Sequence, residues 1–132
     1  MSGFYLYQTD DGRAPAIEYL PCSAIQPKFG MALTVTSGKL AIATGTTAPS
    51  YISLFQAGAA VSAGTIIPVM RVGKDIIFRT SNSASLSSVN IGDKVTLHAS
   101  SGMQVTATTT SGVAEIVGKD GNAAGSDVYV RF

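Results

Sequence analysis

The sequence predicts an all-β fold, a small β-barrel or β-tulip-like sandwich of eight to ten strands. Three observations predict it. Apolar residues alternate with small polar ones at period two between glycine-marked turns, the pattern of half-buried antiparallel strands. Val, Ile, Thr and aromatic residues outweigh Glu, Lys and Leu, and no stretch of useful length has the 3.6-residue period of a helix. Finally, the glycines mark a half-length repeat. Gly30-Met31-Ala32-Leu33-Thr34-Val35 leads to Ser37-Gly38, Leu40 and Ile42, and Gly92-Asp93-Lys94-Val95-Thr96-Leu97 leads to Ser101-Gly102, Met103 and Val105. Each copy closes on a glycine followed by alternating apolar residues, Gly64 before Ile67 and Val69, Gly125 before Val128 and Val130.

In chain order, residues 1–29 differ from the rest. They hold five of the ten Phe and Tyr residues (Phe4, Tyr5, Tyr7 and Tyr19, with Phe29 at the boundary) and three of the five prolines (Pro15, Pro21, Pro27). Proline fixes φ and biases the residue before it to extended backbone. The segment therefore reads as an extended N-terminal arm with short strands near 4–7 and 17–20 and a turn at Asp10-Asp11-Gly12. Residues 30–132 read as one β-barrel domain with pseudo-repeats at about 30–72 and 92–132.

In the first copy, Met31, Leu33 and Val35 alternate with Ala32, Thr34 and Thr36, and Ser37-Gly38 is a hairpin turn. Residues 51–55 form a middle strand. Residues 66–72 and 76–80 flank Gly73-Lys74, which reads as another hairpin. Pro68 demotes 66–72 to an edge or bulged strand. Residues 81–88 form a polar loop. In the second copy, 95–99 and 103–107 pair around Ser101-Gly102, 113–117 is the middle strand, and 119–125 is a loop before the closing strand.

At 132 residues the chain is one domain by length. Only 13% of residues are charged and the net charge is +1, about half the usual charged fraction of roughly 25%. Such a surface favours association, so the chain is expected to work with much of its surface covered, as an oligomer or in an assembly. Ala, Ser, Thr and Gly make up 59 of the 132 residues, but the apolar alternation between the glycines argues against disorder. The basic residues are scattered among acids, which argues against nucleic-acid binding. No apolar run reaches the roughly 18 residues needed to span a bilayer, and residues 1–7 carry no basic n-region. No membrane partner and no signal peptide are expected.

No constellation for catalysis, cofactor or metal stands out. Cys22 is the single cysteine, so neither an internal disulfide nor a cysteine metal site is possible. His98 is the single histidine and shares a strand face with Thr96 and Ser100. A Cys22–His98 dyad would need the arm to reach that strand. The carboxylates sit mostly at turns and strand ends, where Asp bonds local backbone. Asp120-Gly121-Asn122-Ala123-Ala124-Gly125 lacks the ligands of a calcium loop, with Ala at the fifth place and Arg131 at the twelfth. No enzyme is expected. The aromatic arm carries the functional reading: Phe4, Tyr5, Tyr7 and Tyr19 are candidate partner contacts, of the residue types that anchor interfaces. The alternative is that the arm folds back on its own domain.

The runs G-x-x-L-x-V-x-S-G-K-L, A-P-S-Y-I-S and A-G-A-A-V-S-A-G-T-I-I-P-V within 30–69, with S-G-V-A-E-I-V and A-G-S-D-V-Y-V-R-F within 111–132, resemble the small phage capsid decoration, or head cement, proteins. The resemblance implies a virion structural protein on the capsid exterior, assembled in the host cytoplasm. It implies the major capsid protein as partner, a homo-oligomer with trimers favoured, and an N-terminal arm that clasps capsid subunits. The long arm rich in aromatics and proline departs from the family pattern. A second reading is a ligand- or carbohydrate-binding β-module of a phage tail or adhesion apparatus, though the absence of Trp removes the usual sugar-stacking platform.

Overall fold

In the computed structural model, which describes residues 2–132, Ser37 and Gly38 turn the chain with φ of 51° and 77°. Two positive φ values match the right-handed twist of the flanking strands, so β3 (Ala32–Thr36) and β4 (Lys39–Ile42) close as the expected hairpin, Thr36 opposite Lys39. β1 (Tyr5–Thr9) and β2 (Ile17–Pro21) precede them. β5 (Tyr51–Ser53), β6 (Ile66–Arg71), β7 (Ile76–Ser81), β8 (Lys94–Val95), β9 (Ala114–Lys119) and β10 (Asp127–Arg131) follow.

The architecture is all-β. Two antiparallel five-stranded sheets form, sheet A in the order β1-β7-β10-β9-β8 and sheet B in the order β2-β6-β5-β3-β4, with no helix among the described residues. The barrel expected from the sequence does not close. In sheet B the outer strands meet only where Cys22 bridges Leu40, with the Ser23 N–H on the Leu40 carbonyl at 2.9 Å. That single bridge is not a ladder.

The main core lies between the sheets. Ala32, Ile52 and Met70 of sheet B meet Ile76, Phe78, Ile116 and Val128 of sheet A. The other face of sheet B carries a second, smaller core of Leu33, Leu40, Tyr51, Ile67 and Val69, capped by Cys22 and Met31. Sheet B is thus covered on both faces at its centre, which explains why β5 is buried at every position and why Ile67, Val69 and Met70 of β6 are all buried although they alternate between the two faces.

Three local expectations are corrected. Gly73-Lys74 is not a hairpin turn, because β6 and β7 belong to different sheets. Met70 and Ile76 approach the same core from opposite walls, so the chain must cross between them. Pro68 does not force an edge, since β6 lies between β2 and β5. Past the pair Ser53–Val69 the Leu54 N–H still donates to the Pro68 carbonyl at 3.0 Å, so the missing proline N–H costs only the return bond at the end of the β5 ladder. The loop after β7 is not simply polar: Leu86 and Val89 are buried in the main core.

Residues 1–29 supply one outer strand to each sheet. β1 pairs with β7 and β2 with β6.

Candidate interaction surface

The position of β1 is set by the residues before it. The Gly3 N–H donates to the Met103 carbonyl and the Phe4 N–H to the Gly30 carbonyl, both at 2.7 Å. Gly30 is obligatory there: its φ is +83°, and a Cβ would lie 2.9 Å from the Phe4 nitrogen. Phe4 enters the main core at 1% exposure and meets Phe132 edge to face. Phe4 is therefore occupied by its own chain, which corrects its reading as a partner contact.

Strand alternation then sends Tyr5 and Tyr7 outward. Tyr5 opposes Arg79 of β7, and Tyr129 of β10 opposes Arg79 from the other side. Pairing runs from Leu6–Phe78 to Gln8–Ile77, which leaves Tyr7 as the extra residue of a β-bulge. Its ring, 56% exposed, packs on Tyr129 with centroids 4.5 Å apart. Phe29 stacks on Tyr5 at 5.8 Å. Opposite Tyr129 stands Gly118, where a Cβ would press to 3.3 Å of the ring, so the glycine makes room for it.

The product is an outward row on sheet A: Phe29, Tyr5, Arg79, Tyr129, Tyr7. Arg79 has no ion-pair partner among the described residues. Tyr129 donates its hydroxyl to Asp120 Oδ2 at 3.1 Å. Its phenol is raised above the ordinary value, first by desolvation and then by that hydrogen bond.

Tyr19 is not part of this row. It stands on β2 in sheet B, 67% exposed, beside Ile17 and opposite Pro68. The four aromatic residues singled out in the sequence thus divide three ways: Phe4 inside, Tyr5 and Tyr7 together on sheet A, Tyr19 on sheet B. Phe29, Arg79 and Tyr129 join the row through the order β1-β7-β10 and the approach of residue 29, long-range relations that no local pattern encodes.

The groups with potential chemistry are dispersed. Cys22 is fully buried in the second core, and desolvation pushes its thiol up. His98 lies in the turn before Gln104, its Nδ1 accepting the Ser100 and Ser101 N–H groups at 3.3 Å. Among the described residues no three His, Cys, Asp or Glu side chains converge as a metal site. Asp11 and Asp93 accept local backbone N–H groups, as turn aspartates do. In the loop 120–125, Asp120 takes the Tyr129 hydroxyl and the Asn122 carbonyl takes the Leu86 N–H.

No protein-family model matches this chain, and neither a curated protein nor a solved structure is detectably similar to it.

Proposed function

We propose that this chain is a non-enzymatic structural protein that binds the outer surface of an assembled shell and stabilises it, as decoration proteins do on a phage capsid. The observation that carries the reading is the row Phe29-Tyr5-Arg79-Tyr129-Tyr7 on the outer face of sheet A. Tyr and Arg dominate the energetic centres of interfaces, because they combine large apolar area with a polar tip. The partner is the major capsid protein, the location the capsid exterior after assembly in the host cytoplasm. A repeated lattice lets several modest contacts act together, so each site need not be strong alone.

The order of the strands supports a module of this kind. The strands of 30–71 run β6-β5-β3-β4 across sheet B, and those of 92–131 run β10-β9-β8 across sheet A. Gly30, Gly38, Gly64, Gly92, Gly102 and Gly125, the anchors of the sequence repeat, all have positive φ. We read this as two pseudo-equivalent halves, each joined by one strand of the N-terminal arm, in a tulip-like sandwich.

The test is co-sedimentation with capsids that lack the protein. Tyr7→Ser combined with Arg79→Ala is expected to weaken binding at least about 30-fold, the effect of removing a central anchor. Undiminished binding by the folded double variant defeats the proposal. Glycan binding without capsid affinity would replace it with the ligand-binding β-module.

A further inference from the structure

β8, β9 and β10 gather a group of charged side chains on the outer face of sheet A. Lys94 opposes Glu115 in the β8–β9 ladder, and Glu115 opposes Arg131 in the β9–β10 ladder. Directly opposed residues of an antiparallel pair share a face, so the three form one row, base, acid, base. Val128 and Val130 are buried, which turns Tyr129 and Arg131 outward together and sets this row beside the aromatic one. Lys74, on the crossing from β6 to β7, completes the group: its carbonyl accepts Arg131 Nη1 at 3.0 Å.

Opposed Cβ atoms lie only about 5 Å apart, so Glu115 stands within reach of both bases. It pairs with neither: among the described residues the one ion pair is Arg71 with Glu18. Instead Lys74, Lys94, Glu115 and Arg131, with Val113 and Phe132, line a hollow of about 210 Å³. At about 30 Å³ for each water in the liquid, that is room for one small organic molecule. Val113 and Phe132 pack against the main core, so the apolar part of the lining is held in place.

We infer that this hollow binds a small organic carboxylate. Its side chains carry three positive charges against one negative, which selects an anion. Arg131 is the principal donor. A guanidinium presents five N–H groups in a planar fork that matches a carboxylate. Its own chain supplies the Lys74 carbonyl to Nη1, while Nε is buried with no partner. The bond to Lys74 also fixes the guanidinium at the hollow. Lys74 and Lys94 are exposed and act as flexible point charges at the rim. Val113 and Phe132 favour a ligand with a short carbon stem over a bare inorganic ion. Glu115 opposes the ligand by like charge, so it weakens binding and its removal strengthens it. A free metabolite and an acidic side chain of a docked protein present the same carboxylate, and the test separates them.

The test is a titration of the full chain with succinate, followed by amide NMR shifts at constant ionic strength. Saturable shifts are expected at residues 74, 94, 113–115 and 131–132, with a dissociation constant of about 1 mM, the scale of a small exposed anion site. Inorganic phosphate is expected to bind more weakly. Arg131→Gln should raise the constant at least about 10-fold, by loss of charge-assisted hydrogen bonds. Lys94→Gln, at an exposed site that folding tolerates, should raise it about 3-fold, and Glu115→Gln should lower it by a similar factor. Arg79→Gln, in the aromatic row, should leave it unchanged. No saturable shift by about 20 mM overturns the inference. So do shifts spread equally over Lys28 and Lys39, phosphate binding as tight as succinate, or a Glu115→Gln chain that binds more weakly. These readouts need no capsid, so they stand whether or not the chain decorates one. Given capsid binding, succinate that displaces the chain assigns the carboxylate to a capsid side chain, and binding unaffected by succinate assigns it to a free ligand.

Discussion

Phe4 and Phe132 meet edge to face with ring centroids 5.3 Å apart, and Phe132 continues to Phe78 at 5.8 Å. The first strand is thereby fastened to the last through the main core. Phe4→Ala is expected to destabilise the fold by about 3–5 kcal/mol, because the buried ring leaves a cavity that packed strands cannot close. Tyr7→Ala, three residues on but 56% exposed, should cost far less. Urea unfolding followed by circular dichroism measures both, and equal midpoints for the two variants would contradict the packing described. Removing residues 1–20 would take away most of two strands, so loss of binding after such a deletion would report unfolding. Point substitutions are the sound way to probe this surface.

Gly102 is wedged against the open end of the β3–β4 hairpin, where the Ala43 N–H donates to the Ala32 carbonyl at 2.9 Å. Its φ is +61°, and a Cβ there would lie 2.8 Å from the Ala43 carbonyl oxygen and 3.1 Å from that of Ala32. The Gly102 carbonyl also accepts the Ala32 N–H at 2.8 Å. Neither backbone neighbour can yield without breaking strand pairing. Gly102→Ala is expected to cost on the order of 2–4 kcal/mol, combining backbone strain with overpacking. Gly38→Ala, with φ +77° and nothing within 4 Å of its Cβ, bears the strain alone and should cost about 1 kcal/mol. Thermal melts of the pair provide the comparison, and a Gly102→Ala melt no lower than that of Gly38→Ala would be the contrary result.

Local features of this fold were legible because they depend on local chemistry. Ser37-Gly38 specifies a two-residue turn, and the alternation at Met31, Leu33 and Val35 follows a strand face. The strands near 4–7 and 17–20 form at Tyr5–Thr9 and Ile17–Pro21. What could not be read was which sheet each strand joins. Gly73-Lys74 has hairpin chemistry, yet Met70 and Ile76 must face each other across a core, and only the packed molecule decides that. Pro68 reads as an edge signal because its tolerance inside the sheet depends on its lying at the end of the β5 ladder, where one bond alone is forgone. The aromatic row has the same limit. Tyr5 and Tyr7 stand out in sequence, but Arg79 and Tyr129 reach them through pairings some 70 to 120 residues away along the chain.

Cys22 offers a direct reporter of opening. It is fully buried, and desolvation raises its thiol, so little thiolate is formed and none is accessible. Alkylation by iodoacetamide at neutral pH is expected to be undetectable in the native chain and fast in denaturant. The native rate should rise in Phe4→Ala in proportion to the population unfolded. Rapid native labelling, equal to that of the denatured chain, would show that the second core is open.

The contact of Tyr129 with Asp120 makes an alkaline prediction. The folded phenol is raised above its ordinary value by desolvation first, then by donation to Asp120, and further by the charges of Asp120, Tyr7 and Asp127. A raised acid favours the protonated form in the folded state. Its contribution is therefore fully present below the unfolded value of about 10 and is lost as pH rises through the higher folded value. Tyrosinate absorbance of the native protein should show one of its five tyrosines ionising later than an ordinary phenol. Asp120→Asn removes the carboxylate acceptor and its charge, so the late step should move toward lower pH without vanishing, because desolvation remains. Tyr129→Phe should abolish it. A late step unchanged in Asp120→Asn would place its cause elsewhere. If Tyr129 lies at the centre of the capsid contact, docking adds to its desolvation, and the same step should shift later still in the bound protein.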